Sequence, residues 1–494
     1  MGVSLNPSTI LSGQGIDVST LVQQIISEQS GELTVWQAQQ TTLATQEGLL
    51  EGEENNLTNL QTAVAALASP TGALTAQAAT SSNTGVLTAA ADNTAVTATH
   101  QIVVNNLATA GTLYTDAIAA GANTSFLASG QTTGDIQLQV GGASGTTHDL
   151  AITQGSNDTL TKLAAYINTQ STANNWGVTA SVVSDASGSR LALFSQSTGS
   201  AGALSLASNR NTTLTFDTPV GGTNASLTVD GVPFTSSSNT VTGAIQGVTL
   251  SLLAQSTSSD PVQLTVGPDT NQITNAVNNF VSAYNTVVST INTQYVVDPT
   301  GATPAPPLES DLSLRSLQSS MLNDASYAVS VPGWPNSNGD SSETVDLASM
   351  GINMNNDGTL TVGSNATGQT FADFLAANPA AVQSFFQNAS ATGFANNFNT
   401  DLTNLTDATQ GPLNVDLAQD QAEGQDLTTT ITNFQTQLTT QTAALTSQYD
   451  SVNASLQAYP LLLQEMTETL ATLGSTTSSS GATVNSGPTL TSGL

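Results

Sequence analysis

Trp36, Leu43, Leu50, Leu57 and Val64 recur at every seventh position. A sustained heptad commits a segment to a helix whose apolar seam must be covered by another helix. Leu33, Leu60 and Leu67 fill some of the complementary positions, while Gln40, Glu47 and Glu54 take other positions where apolar residues are expected. Gly48 and Gly52 weaken this helix further, so it depends on its partner. Ahead of it, Ser12-Gly13-Gln14-Gly15 reads as a turn, and Asp17 as the N-cap of a helix over Val18 to Ile26. Leu21, Val22, Ile25 and Ile26 form its apolar face. Ser69-Pro70-Thr71-Gly72 ends the helical run.

A second seam that could pair with it is at the other end of the chain. Leu427, Ile431, Phe434 and Leu438 step by fours and threes. After a stutter at Gln441, Leu445, Tyr449, Val452, Leu456, Tyr459, Leu463, Met466, Leu470 and Leu473 continue the stripe. Pro460 is expected to break or kink this helix near Tyr459, since proline lacks an N–H and its ring crowds the preceding turn. From Ser475 the sequence is Ser/Thr/Gly-rich and reads as a flexible tail.

Between these ends the periodicity changes from helical to alternating. Ile136, Leu138 and Val140 alternate, as do Val178, Ala180 and Val182, which return through a turn to Leu191 and Leu193. Leu227 and Val229, Asp230-Gly231, then Val232 and Phe234 read as a second hairpin. Val248, Leu250, Leu252 and Val262, Leu264, Val266 are two further strands. One helix interrupts over Thr159 to Thr169, with Asn157 or Asp158 as its cap. Helical spacing returns with Ile273, Val277, Phe280, Tyr284, Val288 and Ile291, then Leu314, Leu317 and Met321. Asp357-Gly358 marks a short β piece, and Phe371 to Phe386 a helix broken at Asn378-Pro379. The expected class is α+β and multidomain: a terminal coiled-coil stalk and helical body with an inserted β-rich head of two small domains. The expected boundaries are an anchor over 1–40 paired with 440–474, a body over 41–72 plus 271–439, one head domain over 73–127 plus 223–270, a second over 128–222, and a tail over 475–494.

Composition excludes several functions. The 494-residue chain carries a net charge of −31 and only four cations, Lys162, Arg190, Arg210 and Arg315. These cannot replace the counterions of a phosphate backbone, which argues against nucleic acid and against anionic membrane surfaces. No stretch approaches the ~20 apolar residues of a membrane span. Only 8% of residues are charged, so Ser, Thr, Asn, Gln and Gly supply the polarity. The absence of cysteine removes thiolate metal sites and thiol nucleophiles. It also suits export as an unfolded chain, where a stray disulfide would obstruct passage. The start of the sequence lacks the basic and apolar regions of a signal peptide, so any export is expected to proceed without a cleaved signal.

No chemistry-bearing constellation emerges. His100 and His148 flank β segments without a nucleophile elbow. Asn355-Asn356-Asp357-Gly358 lacks the bidentate Glu of a calcium loop and reads as a turn. Glu51, Glu53 and Glu54 read as a solvated helix face, and Gly141 to Gly145 as a hairpin connection. No catalytic residue, cofactor or metal is expected, and an enzyme is the least favoured class.

Four segments together resemble the flagellar filament cap proteins, the hook-associated proteins of type two. They are Ser12 to Val22, residues 159–194, Ala225 to Leu252 with its Val229-Asp230-Gly231 and Gly247-Val248-Thr249-Leu250, and Leu347 to Leu360. This sequence departs from the family in using Gln and Thr where the terminal helices usually carry charge, and in Pro460. The resemblance implies a homo-oligomeric ring at the distal tip of the filament, outside the cell, exported by the flagellar type III system. It implies flagellin and the hook–filament junction proteins as partners, and an export chaperone at the C-terminal region. The terminal seams could close within one chain or insert among neighbouring subunits, and the resemblance favours the second. On that reading Leu21, Val22, Ile25, Ile26, Leu463, Met466 and Leu470 make the subunit and filament contacts. Two alternatives remain: another axial protein, either a flagellin or a hook–filament junction protein, and a surface adhesin using its β head.

Overall fold

A computed structural model describes residues 17–142, 145–296, 299–302, 304–330, 334, 344–387 and 392–476. The Ser12–Gly15 turn and the tail beyond Thr476 lie outside the described residues. The chain forms two compact units, one of Met1–Gln61, Asn285–Asn323 and Thr400–Leu494, the other of Thr62–Tyr284 and Asp324–Asn399.

The first unit is helical. It contains α1 (Val18–Gln29) and most of α2 (Gly31–Ala68), which follow one another in sequence. The α2 heptad packs as its spacing dictates at Leu50 and Leu57, which are fully buried, as is Leu60 of the complementary positions. Its partner is the long C-terminal helix. Trp36 meets Phe434 edge-on with ring centroids 5.1 Å apart. Gln40 donates from Nε2 to Thr428 Oγ1 at 2.8 Å. Further along, Asn414 donates to Glu54 at 3.1 Å. As numbers rise on α2 they fall on the partner, so the two helices run antiparallel.

The second unit carries the strands and two separate cores. In chain order the strands are β1 (Gln77–Ser81), β2 (Leu87–Ala91), β3 (Ala98–Asn106), β4 (Ala110–Tyr114), β5 (Thr133–Val140) and β6 (Thr146–Thr153). After α3 (Leu160–Asn174) come β7 (Val178–Asp185), β8 (Gly188–Thr198), β9 (Leu204–Arg210), β10 (Ala225–Val229) and β11 (Val232–Ser236). The run closes with β12 (Thr240–Ile245), β13 (Val248–Leu252) and β14 (Val262–Pro268). One lobe pairs a five-stranded sheet, ordered β1-β14-β3-β10-β11, with a three-stranded sheet, β12-β13-β2. The alternating Leu227, Leu250, Leu264 and Val266 meet between them. The other lobe sits in the loop between β3 and β10. It combines sheets β4-β8-β7 and β6-β5-β9 with α3 over a core that includes Leu138, Leu163, Ile167 and Leu193.

Local chemistry explains these elements. Asp230 and Gly231 both take positive φ, 52° and 81°, which the tight β10–β11 hairpin requires. On the edge strand β11, Pro233 removes a backbone donor and blunts the edge against further pairing. The cap of α3 differs from expectation. Thr159 caps it, its hydroxyl accepting from Lys162 N, and the helix continues to Asn174. Asn157 instead accepts from Thr153 N at 2.8 Å and donates to Ala151 O at 2.8 Å, so it is committed to the loop before the cap.

The rest of this unit is an aromatic core. Helices α4 (Thr270–Thr293), α5 (Leu312–Ala325), α6 (Phe371–Ala377), α7 (Pro379–Phe386) and α8 (Phe394–Leu405) follow in the chain, and α4, α5 and α8 contribute residues to both units. Phe394 is buried against Phe280, Phe385, Phe386 and Phe398, all with centroids 5.5–5.6 Å away. The short hairpin β15 (Val329–Ser330) with β16 (Thr344–Val345), and β17 (Ile352–Met354) with β18 (Leu360–Val362) turning at Asp357-Gly358, complete the unit.

Candidate assembly surface

The residues expected to make assembly contacts are on α1 and on α9 (Pro412–Thr476). Asp17 starts α1 by accepting from Thr20 N at 3.1 Å, from the Thr20 hydroxyl at 2.7 Å and from the Ser19 hydroxyl at 2.9 Å. These hydrogen bonds, with the Thr20 hydroxyl first among them, lower its carboxyl to about 2. The helix packs against α9. Leu21 and Val22 are buried, while Ile25 and Ile26 are half-buried.

The α9 side is different. Ile431 and Leu438 are buried in the seam. Beyond them the same periodic stripe emerges into solvent: Leu463 is 58% exposed, Met466 55% and Leu470 68%. Tyr459, Leu461, Leu462 and Leu473 are exposed with them. The structure therefore keeps the predicted residues in two sets, a packed one on α1 and a bare one on α9. Bare apolar side chains in such a row mark a surface that a partner covers.

Pro460 lies inside α9, which runs unbroken from Pro412 to Thr476. The expected break is absent. Proline leaves only the Leu456 carbonyl without its helical donor, and on an exposed helix water can take that place. The polar face of α9 is built from threonine. The hydroxyls of Thr428, Thr432, Thr436 and Thr440 each donate to the carbonyl four residues earlier. Their polarity is satisfied within the helix, so the surface is polar without being charged.

Glu53 was missed by reading Glu51, Glu53 and Glu54 as one solvated face. Glu51 is exposed and Glu54 half-buried, but Glu53 is 1% exposed. The signal was present, since Glu53 falls seven residues before Leu60 and so in the Leu60–Leu67 column. Burial raises its carboxyl to about 7, against an opposing hydrogen bond from Asn56.

The two histidines hold their strands. His100 Nδ1 lies 2.7 Å from Asp230 Oδ2 beside an open groove of about 460 Å³ walled by Val96, Val232 and Phe234. The second oxygen of Asp230 accepts from Gln101 N at 2.8 Å. His148 stacks on Trp176 at 4.5 Å, and burial lowers its pKa while Asp149 opposes the shift. Among the described residues no group of His, Asp and Glu is arranged to hold a metal ion, and no helix is long and apolar enough to cross a membrane.

A helical seam with a bare apolar continuation and an inserted pair of β lobes defines a structural protein of assembly. Two family models match: the flagellar hook-associated protein 2 N-terminus over residues 14–111 and its C-terminus over residues 222–459. The chain is 30% identical over 387 residues to the B-type flagellar hook-associated protein 2 of Pseudomonas aeruginosa, spanning 72% of this chain and 76% of that one. It is 30% identical over 169 residues to the flagellar hook-associated protein 2 of Campylobacter jejuni, spanning 33% of this chain and 25% of that one. The D1-D2-D3 domains of the flagellar cap protein FliD of Escherichia coli share the fold, with a TM-score of 0.54 and 24% identity over 75% of this chain and 99% of that one. The chain belongs to the flagellar hook-associated protein 2 family, the filament-cap family that its four segments resemble.

Proposed function

We propose that this chain caps the distal end of the flagellar filament as a homo-oligomer and promotes ordered addition and folding of exported flagellin. The observation that carries the reading is the solvent-facing stripe from Tyr459 to Leu473 in a chain of this family. A surface helix with this much uncovered apolar area is costly in water and is stabilised when neighbouring subunits cover it.

On this reading Leu463, Met466 and Leu470 contact neighbouring copies and the filament. Leu21 and Val22 pack α1 against the helix that presents them, and Ile25 and Ile26 add a half-covered margin. Flagellin, the hook–filament junction proteins and an export chaperone at the C-terminal region are the proposed partners. The export route is the flagellar type III system, and the working location is the filament tip. The mechanism is mechanical. Each flagellin addition requires the cap to shift, so its contacts must be individually weak. The domain plan proposed for this work is anchor, body and double head. Electron microscopy of the purified full chain tests the reading: rings with legs are expected, and monodisperse monomers at high concentration would contradict it.

A further inference from the structure

One level of the helical unit is built against the stability of its own helices. Gly48 and Gly52 lie one turn apart on the exposed face of α2, and a Cβ at either would meet nothing within 4 Å. Neither takes a positive φ. Packing and backbone geometry therefore do not require glycine there, and alanine would favour the helix. The partner helix carries a glycine at the same level, since a Cβ on Gly424 would stand 3.3 Å from Glu47 Oε1.

Within two turns of Glu47 along α2 lies a buried acid. Glu53 accepts from Asn56 Nδ2 at 3.0 Å through one oxygen, and its other oxygen, Oε1, is buried without a hydrogen-bond partner. Asn56 also reaches Thr290 of α4 at 3.4 Å, so α4 presents a hydroxyl here. Carboxylates gather here: Glu51 and Glu54 flank Glu53 in the sequence of α2, Asp416, Asp420 and Glu423 follow one another on α9, and Glu47 and Asp311 reach Asp420, with the Tyr295 phenol beside Asp311. Asp420 is raised by burial and then by Asp416, Asp311, Glu423 and Glu47. Arg315 is the one cation in the sequence of this unit. It stands 5.2 Å from the Tyr295 ring centroid and donates to Glu309 O at 3.1 Å.

We propose that Glu47–Glu53 of α2 and the turn around Gly424 of α9 form a joint that opens locally while the flanking turns stay paired, and that opens more readily as pH rises. Three independent features converge on it: glycines that packing does not need, a buried carboxyl with an orphaned oxygen, and acids without a counter-ion. The sign follows from the raised carboxyl of Glu53. The closed joint is favoured where Glu53 is protonated, and that advantage is lost as pH rises from the ordinary Glu range through about 7. Between pH of about 6 and about 8 the opening constant should rise about tenfold. The glycines add a part that does not depend on pH. The joint belongs to the free chain, so it stands or falls separately from the capping reading.

Hydrogen exchange on the purified full chain, corrected for intrinsic rates, tests it. Amides of 47–53 and 421–427 should exchange faster than those of Trp36–Leu43 and Leu57–Val64, and faster by about tenfold at the higher pH. Glu53→Gln should abolish the pH response. The double variant Gly48→Ala with Gly52→Ala should slow exchange at both pH values and keep the response. Protection equal to the flanking turns, no change with pH in the unmodified chain, or a response that survives Glu53→Gln would each overturn the joint.

Discussion

Asp17 caps most strongly while it is charged. Its lowered carboxyl means that the cap is present above the ordinary carboxylate range and is lost as pH falls from there through about 2. Amide protection over Val18–Leu21 should fall across that window, and Asp17→Ala should lose it at every pH; hydrogen exchange reads both. Phe394 is the opposite case, a residue whose role is packing alone. With four phenylalanine rings around it and 1% exposure, Phe394→Ala should cost about 3–5 kcal/mol in urea unfolding. Asp17 was legible from sequence because a capping residue preceded an apolar face. The cap of α3 was less so, since Asn157, Asp158 and Thr159 are all good caps and only the path of the chain selects one. Glu53 was obscured by its acidic neighbours, although its heptad column placed it inside.

The two halves of α9 are held differently. The half opposite α2 is held by pairs such as Trp36 with Phe434. Leu57→Ala in the buried seam should cost about 2–5 kcal/mol, measurable by denaturant unfolding. The half from Tyr459 to Leu473 makes no comparable burial. Replacing Leu463, Met466 and Leu470 together with serine should therefore leave the melting temperature of the dissociated chain unchanged while lowering the oligomeric mass seen by light scattering. A fall in melting temperature of the dissociated chain would place those residues in a fold core instead. The heptads and strand alternation were legible because each follows from one period. What the periods did not reveal was where the covering ends, since that depends on how far each helix extends beside the other. Nor did they show that α9 passes through Pro460, because an exposed helix tolerates what a buried one would not.

The whole molecule combines a charge of −31 with very few charged residues overall. Its polarity comes largely from hydroxyl and amide side chains, and on α9 the threonine hydroxyls bond to their own helix backbone. Such a surface limits unspecific association and leaves the apolar stripe as the distinctive contact. Family membership joins that stripe to the filament tip. The most direct test is made in the bacterium that carries this chain, after deletion of its gene, by electron microscopy of the cells and assay of flagellin in the medium. Restoring the full chain should restore long filaments. Restoring the chain with serine at Leu463, Met466 and Leu470 should leave filaments short or absent and flagellin free in the medium. Filaments of normal length with the triple variant, or with the gene deleted, would contradict the account.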